Sequence, residues 1–195
     1  MAEKTVDRKD QILQTLAQML ENPAGEKVTT AALAARLKVS EAALYRHFKG
    51  KAEMFEGLIE FIEHALFGLI NRISSDEQSG LRQLEAMMGI LLAFAQKNRG
   101  MTRVLIGDAL VNEDERLQAR ISQLHGRLEA ALKQALRFGV SQKEFAEDVD
   151  TGAQANLLMS FVVGRWHLFA KSGFRRDPAE LWAKQWRLLM EGIIA

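Results

Sequence analysis

The sequence contains no cysteine and only two prolines among its 195 residues. The lack of cysteine excludes disulfide bonds, a thiolate nucleophile and cysteine-ligated zinc. Because proline is scarce, and because Leu, Ala, Glu, Gln, Lys and Arg outnumber the β-branched residues, the composition favours helices throughout. The sequence therefore predicts an all-α fold before any motif is considered.

A strong charge of either sign and a long apolar run are also missing. The 26 basic and 25 acidic residues leave a formal net charge of +1, which by itself indicates neither nucleic acid nor membrane as a partner. No segment approaches the roughly 18 uninterrupted apolar residues of a membrane span, and the first ten residues are polar where a signal peptide needs an apolar segment. We expect a cytoplasmic protein whose binding sites are local.

Helical periodicity predicts short helices first and long helices afterwards. The first helix is expected over residues 6–20, the second is capped by Thr29 or Thr30, and the third is capped by Ser40. A long amphipathic helix then starts at Lys51 and ends near residues 74–80. This change predicts a domain of three short helices over 1–50 and a helical domain over 51–195.

The second domain is expected to be one helical bundle. Pro178 suits the first turn of the last helix, because its ring fixes a helical φ and its missing N–H has no partner there. The other predicted helices span residues 80–98, 101–110, 113–138 and 149–171.

Residues 29–48 read TTAALAARLKVSEAALYRHF and predict a helix-turn-helix that continues to residue 51. The second helix would place its outward side chains in the major groove of DNA. Ser40 and Tyr45 suit phosphate contacts, whereas Ala42, Arg46 and His47 suit contacts with base edges. The alternative is an ordinary helical hairpin inside the core, and the caps and outward polar residues favour DNA binding over it.

The longer run TTAALAARLKVSEAALYRHFKGKAEMF resembles the signature of the TetR family, with its V-S turn, its L-Y-x-H-F helix and a lysine that opens the fourth helix. The resemblance implies a homodimer paired through the last two helices, with its two reading helices about one DNA turn apart. The residues expected to contact DNA are Thr29, Thr30, Ser40, Glu41, Ala42, Tyr45, Arg46, His47 and Lys51.

Further segments, among them LIEFIEHAL and NRGMTRVLIGDAL, resemble the nucleoid occlusion branch of the TetR family. That resemblance implies a nucleoid-associated protein that binds chromosomal sites and the C-terminal tail of the division protein FtsZ, and so antagonises FtsZ assembly. Whether one dimer or two occupy a DNA site stays open. The tail is expected in a groove between the fourth and fifth helices, lined by Phe61, Ile90, Lys97 and Asn98.

Three positions depart from the pattern of these relatives. Lys38 stands where the TetR family usually has glycine, so a non-glycine residue is expected to take left-handed torsions. Leu69 replaces an arginine near the expected groove. The amino-terminal arm carries Lys4, Arg8 and Lys9 but also two aspartates, which weakens an expected contact of the arm with the minor groove.

Each expected groove residue also has a structural interpretation. Phe61 could pack in the core like other phenylalanines at helical spacing. Lys97 and Asn98 could serve the end of a helix, as a charge that offsets the dipole and as a cap.

Other functions receive less support from the sequence. The four histidines lack the spacing of a helical zinc site, and no nucleotide-binding or catalytic motif occurs, so we expect no metal, no cofactor and no enzyme activity. The carboxylates at 113–115 and at 148 and 150 are interpreted as helix caps. The remaining alternative is a ligand-responsive TetR-type repressor. Five aromatic residues could line its cavity or pack at the dimer interface, which we favour: Phe161, Trp166, Phe169, Trp182 and Trp186.

Overall fold

The computed structural model describes residues 8–22 and 28–194, and within them it is helical throughout, as expected. Two residues of the amino-terminal arm, Lys4 and Asp7, and the first turn that contains Pro23 lie outside the described residues. The only strand-like contact described is an isolated bridge between Phe145 and Ile194. The helices are α1 (Arg8–Leu20), α2 (Thr30–Leu37), α3 (Glu41–Tyr45), α4 (Lys51–Asp76), α5 (Gly80–Lys97), α6 (Arg99–Leu105), a 3₁₀ helix (Asp108–Leu110), α7 (Glu115–Ser141), α8 (Thr151–Lys171) and α9 (Trp182–Met190).

Side-chain caps start five of these helices, α2, α3, α5, α7 and α8. The hydroxyl of Thr29, one of the two expected candidates, accepts from the amide of Ala32 at the start of α2. The Asp114 carboxylate caps α7, and the Asp150 carboxylate accepts from two amides at the start of α8. Hydrogen bonds from the Arg116 side chain and then from its amide lower the pKa of Asp114. The capping amides of Ala153 and Gly152 lower the pKa of Asp150. The interpretation of these carboxylates as caps is therefore confirmed, as is the Ser40 cap of α3.

The last helix begins later than the sequence predicted. Pro178 lies in a turn, and α9 starts only at Trp182. The turn is held by the guanidinium of Arg165, which donates to the backbone carbonyls of Asp177, Pro178 and Glu180 at 2.7–2.8 Å. The expectation that Pro178 occupies the first turn of a helix is wrong, because these tertiary hydrogen bonds keep the chain in a turn there.

Helix α1 packs on α2, α4 and α6, and α2 packs on α3, whereas α4 joins α5, α7 and α8 in a bundle. The two parts meet closely where α6 crosses α1. A Cβ on Gly100 would lie 1.9 Å from the carbonyl oxygen of Ala17, so only glycine permits this approach. The short helices are thereby fixed against the bundle.

The centre of the bundle is filled by Trp166, whose side chain is fully buried and whose indole nitrogen donates to the Leu91 carbonyl at 3.0 Å. Phe169 and Trp186 are also buried within a single chain. The expectation that these aromatic residues pack at the dimer interface is wrong for these three, because they lie on the inner face of their helices. None of the helices described is long and apolar enough to cross a membrane.

Candidate nucleic-acid interface and partner groove

Helix α3 presents the side chains that were expected to read DNA. Leu44 and Phe48 are buried against the other short helices, whereas Tyr45 is 47% exposed. This is the division between inner and outer faces that the motif predicted. Among the expected DNA contacts, those exposed are Thr29, Ser40, Glu41, Ala42, Tyr45 and Arg46, and those half-buried are Thr30, His47 and Lys51.

Two of the expected contacts bind one another. The hydroxyl of Thr30, the first residue of α2, donates to the carboxylate of Glu41, the first residue of α3, at 2.7 Å. A hydroxyl has a single hydrogen to donate, so Thr30 cannot donate to a phosphate while this bond persists. The bond ties the start of α2 to the start of the expected reading helix.

The turn between α2 and α3 has the predicted left-handed residue. Lys38 adopts φ 55° and ψ 45°, a conformation that costs a non-glycine residue roughly 1 kcal/mol. Its amide donates to the Ala35 carbonyl, and the next amide, of Val39, donates to Ala34. These two bonds close α2 and aim the chain into α3.

Lys51, at the start of α4, does not point freely into solvent. Its ammonium forms an ion pair with the carboxylate of Glu113, which lies in the segment before α7, and the two side chains are 22% and 17% exposed. The ammonium also lies 5.7 Å from the centre of the Phe55 ring. A phosphate contact by Lys51 therefore requires competition with Glu113.

A second polar contact joins the short helices to the bundle beside this pair. The guanidinium of Arg103 donates to the carbonyls of Leu20 and Asn22 at the end of α1, and to Asp108 at 2.8 Å. Asp108 also pairs with Lys171 at the end of α8. Burial alone would raise the pKa of Asp108, but the hydrogen bonds from Lys171 and Arg103 outweigh it and lower that pKa.

The expected partner groove has an apolar wall on α4. Phe61 is 46% exposed and Leu69 is 43% exposed, so the alternative that Phe61 packs in the core is wrong. Open space lies over Gly68 on α4 and over Gly89 on α5. On α5, Ile90 is half-buried and Lys97 is exposed.

Asn98 has the structural role that was its alternative interpretation. It follows the last residue of α5, and its side-chain amide donates to the Phe94 carbonyl at 2.8 Å. Lys97 is the last residue of α5, where a positive charge is favourable. A helix-end role and a partner contact are compatible for Lys97, whose side chain faces solvent.

The structure places Phe61 and Lys97 in two separate cavities, each bordered by helix α1, which the sequence reasoning did not anticipate. One cavity brings Phe61 together with Leu13 of α1, and another brings Lys97 and Asn98 together with Gln14 and Gln18. The sequence predicted which residues of α1 are exposed, but it did not predict that α1 crosses α4 and α6. The groove is therefore adjacent to the helices expected to bind DNA.

Comparisons with known proteins identify the family of the chain. The model for bacterial regulatory proteins of the tetR family matches residues 12–58, and the model for the SlmA-like, tetracyclin repressor-like C-terminal domain matches residues 78–193. The nucleoid occlusion factor SlmA of Idiomarina loihiensis is 46% identical over 195 residues, which is 100% of both chains. SlmA of Alteromonas mediterranea is 48% identical over 95% of each chain. The chain belongs to the SlmA family of TetR-type proteins.

Solved structures agree with this fold. The fatty acid degradation regulator FadR of Bacillus halodurans superposes with a TM-score of 0.80 at 16% identity, covering 97% of this chain and 98% of that one. The ketosteroid regulator KstR2 of Mycobacterium tuberculosis gives 0.77 at 15% identity, covering 100% and 98%. At these identities the likeness concerns the fold alone.

As a member of the TetR family, this SlmA-type chain is a DNA-binding, dimeric regulator. Its last two helices carry an apolar surface that the single chain leaves uncovered. Leu157 and Leu168 on α8 are 50% and 43% exposed, and Leu188 on α9 is 68% exposed. Gly164, with open space around it, lies between the two leucines of α8.

Proposed function

We propose that this protein is a nucleoid occlusion factor. As a dimer on specific chromosomal sites, it binds FtsZ and antagonises assembly of the division ring over the nucleoid. The observation that carries this proposal is the full-length identity of 45–48% to curated nucleoid occlusion factors, which extends through both the reading helices and the bundle. In this function the protein catalyses no reaction and acts only through binding.

DNA recognition is assigned to the exposed face of α3 and to the helix starts beside it. Arg46 and His47 are placed on base edges, and Ser40 and Tyr45 on phosphates. Lys51 completes the phosphate contacts once it leaves Glu113. We also propose a domain boundary at residue 50. Residues 1–50 bind DNA, and residues 51–195 form the dimer and bind the partner.

The FtsZ tail is assigned to the groove between α4 and α5. Phe61 and Ile90 supply apolar contacts, Asn98 supplies an amide, and Lys97 supplies a positive charge for an acidic tail. Leu69 is apolar, whereas the relatives that this chain resembles carry an arginine at this position. We therefore expect this chain to rely more on Lys97 than its relatives do.

A ligand-responsive repressor is the second candidate, because a similar fold occurs in a fatty acid regulator solved with stearoyl-CoA. An effector of that kind needs space inside the bundle. Here Trp166 occupies the centre, and the neighbouring Met88, Leu91, Leu124 and Val162 are all fully buried. The space left for an effector is a cleft of about 570 Å³ between α4 and α7, partly open to solvent and lined by Phe67, Arg127 and Phe138 among others. Because an effector could not enter the centre without displacing Trp166, we favour nucleoid occlusion over ligand response.

The test is binding of FtsZ to the DNA-bound dimer and to the dimer alone. Wild-type protein should retain FtsZ when DNA is present, Lys97→Glu should weaken FtsZ binding about tenfold and spare DNA binding, and His47→Ala should weaken DNA binding. Arg82→Glu, at the opposite end of α5, is the matched control for the change of charge. Equal loss of DNA and FtsZ binding by Lys97→Glu would contradict the groove assignment.

A further inference from the structure

Basic residues of α6, of the end of α8 and of the turn between α8 and α9 form a positive surface in a chain that is almost neutral overall. We call it the basic corner and define it by Arg99, Arg103, Lys171, Arg175 and Arg176. Arg99, Arg175 and Arg176 are exposed, and within the described part of the chain none of the three forms an ion pair with a carboxylate. Asp108 neutralises part of the charge by pairing with Arg103 and Lys171.

The backbone of the corner is held in one conformation. The hydroxyl of Ser172 accepts from the amides of both Arg175 and Arg176 at 2.9–3.1 Å, and the Arg175 side chain donates to the Ser172 carbonyl. Phe174 anchors the turn because it is buried and contacts Phe169 edge-on at 5.2 Å. The backbone that carries Arg175 and Arg176 is therefore fixed, together with the Arg175 side chain, which lowers the entropy cost of binding.

The corner is concave. A cavity of about 540 Å³ lies between α6 and the turn, lined by Arg103, Asp108 and residues 170–175. Its walls are three basic side chains and one carboxylate, together with Phe174. Such a cleft suits a negatively charged segment better than an apolar ligand.

The corner adjoins the end of the groove at Lys97. The side-chain amide of Gln96, the residue before Lys97, donates to the Asp177 carboxylate at 2.9 Å. Arg99, two residues after Lys97, lies over the Phe174 ring at 5.9 Å. A peptide that leaves the groove past Lys97 therefore meets the basic corner next.

We propose that the basic corner is a second docking surface, which binds an acidic segment of the same partner chain whose tail occupies the groove. This inference rests on the proposed function. The groove supplies apolar contacts and one cation, whereas the corner supplies several cations and little apolar surface. The corner should therefore add affinity and association rate that salt screens strongly.

The test compares three forms of the DNA-bound dimer for binding of full-length FtsZ at low salt. Arg175→Glu with Arg176→Glu should bind FtsZ about tenfold more weakly than wild type, with a smaller difference at high salt. Arg82→Glu with Arg137→Glu makes the same change of charge on exposed positions elsewhere and should bind as wild type does. Thermal unfolding verifies that both variants fold.

The other outcomes separate the two proposals. Unchanged FtsZ binding by the corner variant, together with loss in Lys97→Glu, would overturn the basic corner and leave the proposed function standing. Absence of FtsZ binding by the wild-type complex would overturn both. A tenfold loss of DNA affinity in the corner variant would also overturn the inference, since the corner would then contact DNA.

Discussion

His125 is a titratable side chain within the bundle that DNA and partner binding do not use. Burial lowers its pKa, a hydrogen bond with the backbone of Leu105 acts in the opposite direction, and the charge of His167 lowers the pKa further. The imidazole lies 5.9 Å from the Trp166 ring, and its buried Nε2 has no hydrogen-bond partner among residues 8–22 and 28–194. The fold therefore favours the neutral imidazole.

This preference predicts a loss of stability in mild acid. Because the pKa of His125 is lower in the folded state than the unfolded value of about 6.5, the unfolded chain binds more protons below that pH. Above about pH 6.5 the neutral imidazole costs the fold nothing, so the free energy of unfolding is at its full value there. It decreases as the pH falls from that value through the folded pKa of His125. We expect His125→Phe to change stability at pH 8 by about 1 kcal/mol or less and to flatten the decrease in Tm towards pH 5.

The measurement is the melting temperature of each variant as a function of pH. His64→Phe is the matched control, since His64 is exposed on α4, and it should keep the wild-type profile. An unchanged acid-side slope in His125→Phe would assign the pH dependence to other groups.

Individual residues differ in how far the sequence could predict their positions. The left-handed Lys38 was predictable from the resemblance, because the TetR family usually has glycine at this position of the turn. The inward position of Trp166 was not, because α8 is apolar on both faces, with Trp166 inside and Leu157 and Leu168 outside. Periodicity identifies a helix, but it cannot rank two apolar faces of that helix.

At the start of α4, the Glu113 carboxylate and a DNA phosphate compete for the ammonium of Lys51. Lys51 is expected to bind a DNA phosphate, but in the free protein it pairs with Glu113, and neither side chain is more than 22% exposed. DNA binding must then break a partly buried ion pair. We expect Glu113→Gln to raise DNA affinity about fivefold, because the lysine is released without cost.

DNA affinity of the variants, measured by fluorescence anisotropy at a fixed salt concentration, checks this competition. Glu115→Gln, an exposed neighbour with the same change of charge, should raise affinity far less. Lys51→Ala should cancel the gain when it is combined with Glu113→Gln. Equal affinities for Glu113→Gln and wild type would mean that the ion pair persists on DNA or that Lys51 makes no phosphate contact.

Helix boundaries were predictable where the cap is local. Ser40, Asp114 and Asp150 each bond to amides within three residues, so the sequence window that contains the cap also contains its target. The start of α9 depends instead on Arg165, which is 12–15 residues away from the carbonyls it binds. No local signal marks such a tertiary bond.

At the scale of the whole molecule, long-range contacts determine how the reading helices sit on the bundle. Arg103 reaches carbonyls more than 80 residues earlier in the chain, and Gly100 allows α6 to touch α1. The TetR motif predicted that the two parts exist, but neither composition nor spacing identifies these partners. The same contacts bring α1 beside the cavities that contain Phe61 and Lys97, so the candidate partner residues and the short helices share an element.

We expect the dimer to form through apolar surface that is exposed in the single chain, and α8 and α9 carry such surface. Leu157, Leu168 and Leu188 are 43–68% exposed, and exposed apolar surface is typical of a protein–protein contact. We expect Leu157→Glu with Leu188→Glu to convert the dimer into monomers, because each carboxylate would be buried without a partner.

Light scattering after gel filtration should therefore give the mass of one chain instead of two. DNA affinity should fall by more than about tenfold, since the α3 helices of two separate monomers would then bind their half-sites independently. Val111→Glu places the same charge on a residue that is 61% exposed and lies before α7, so it should remain dimeric. Dimers of the double variant with wild-type DNA affinity would place the interface on another face and would leave the exposed leucines available to a different partner.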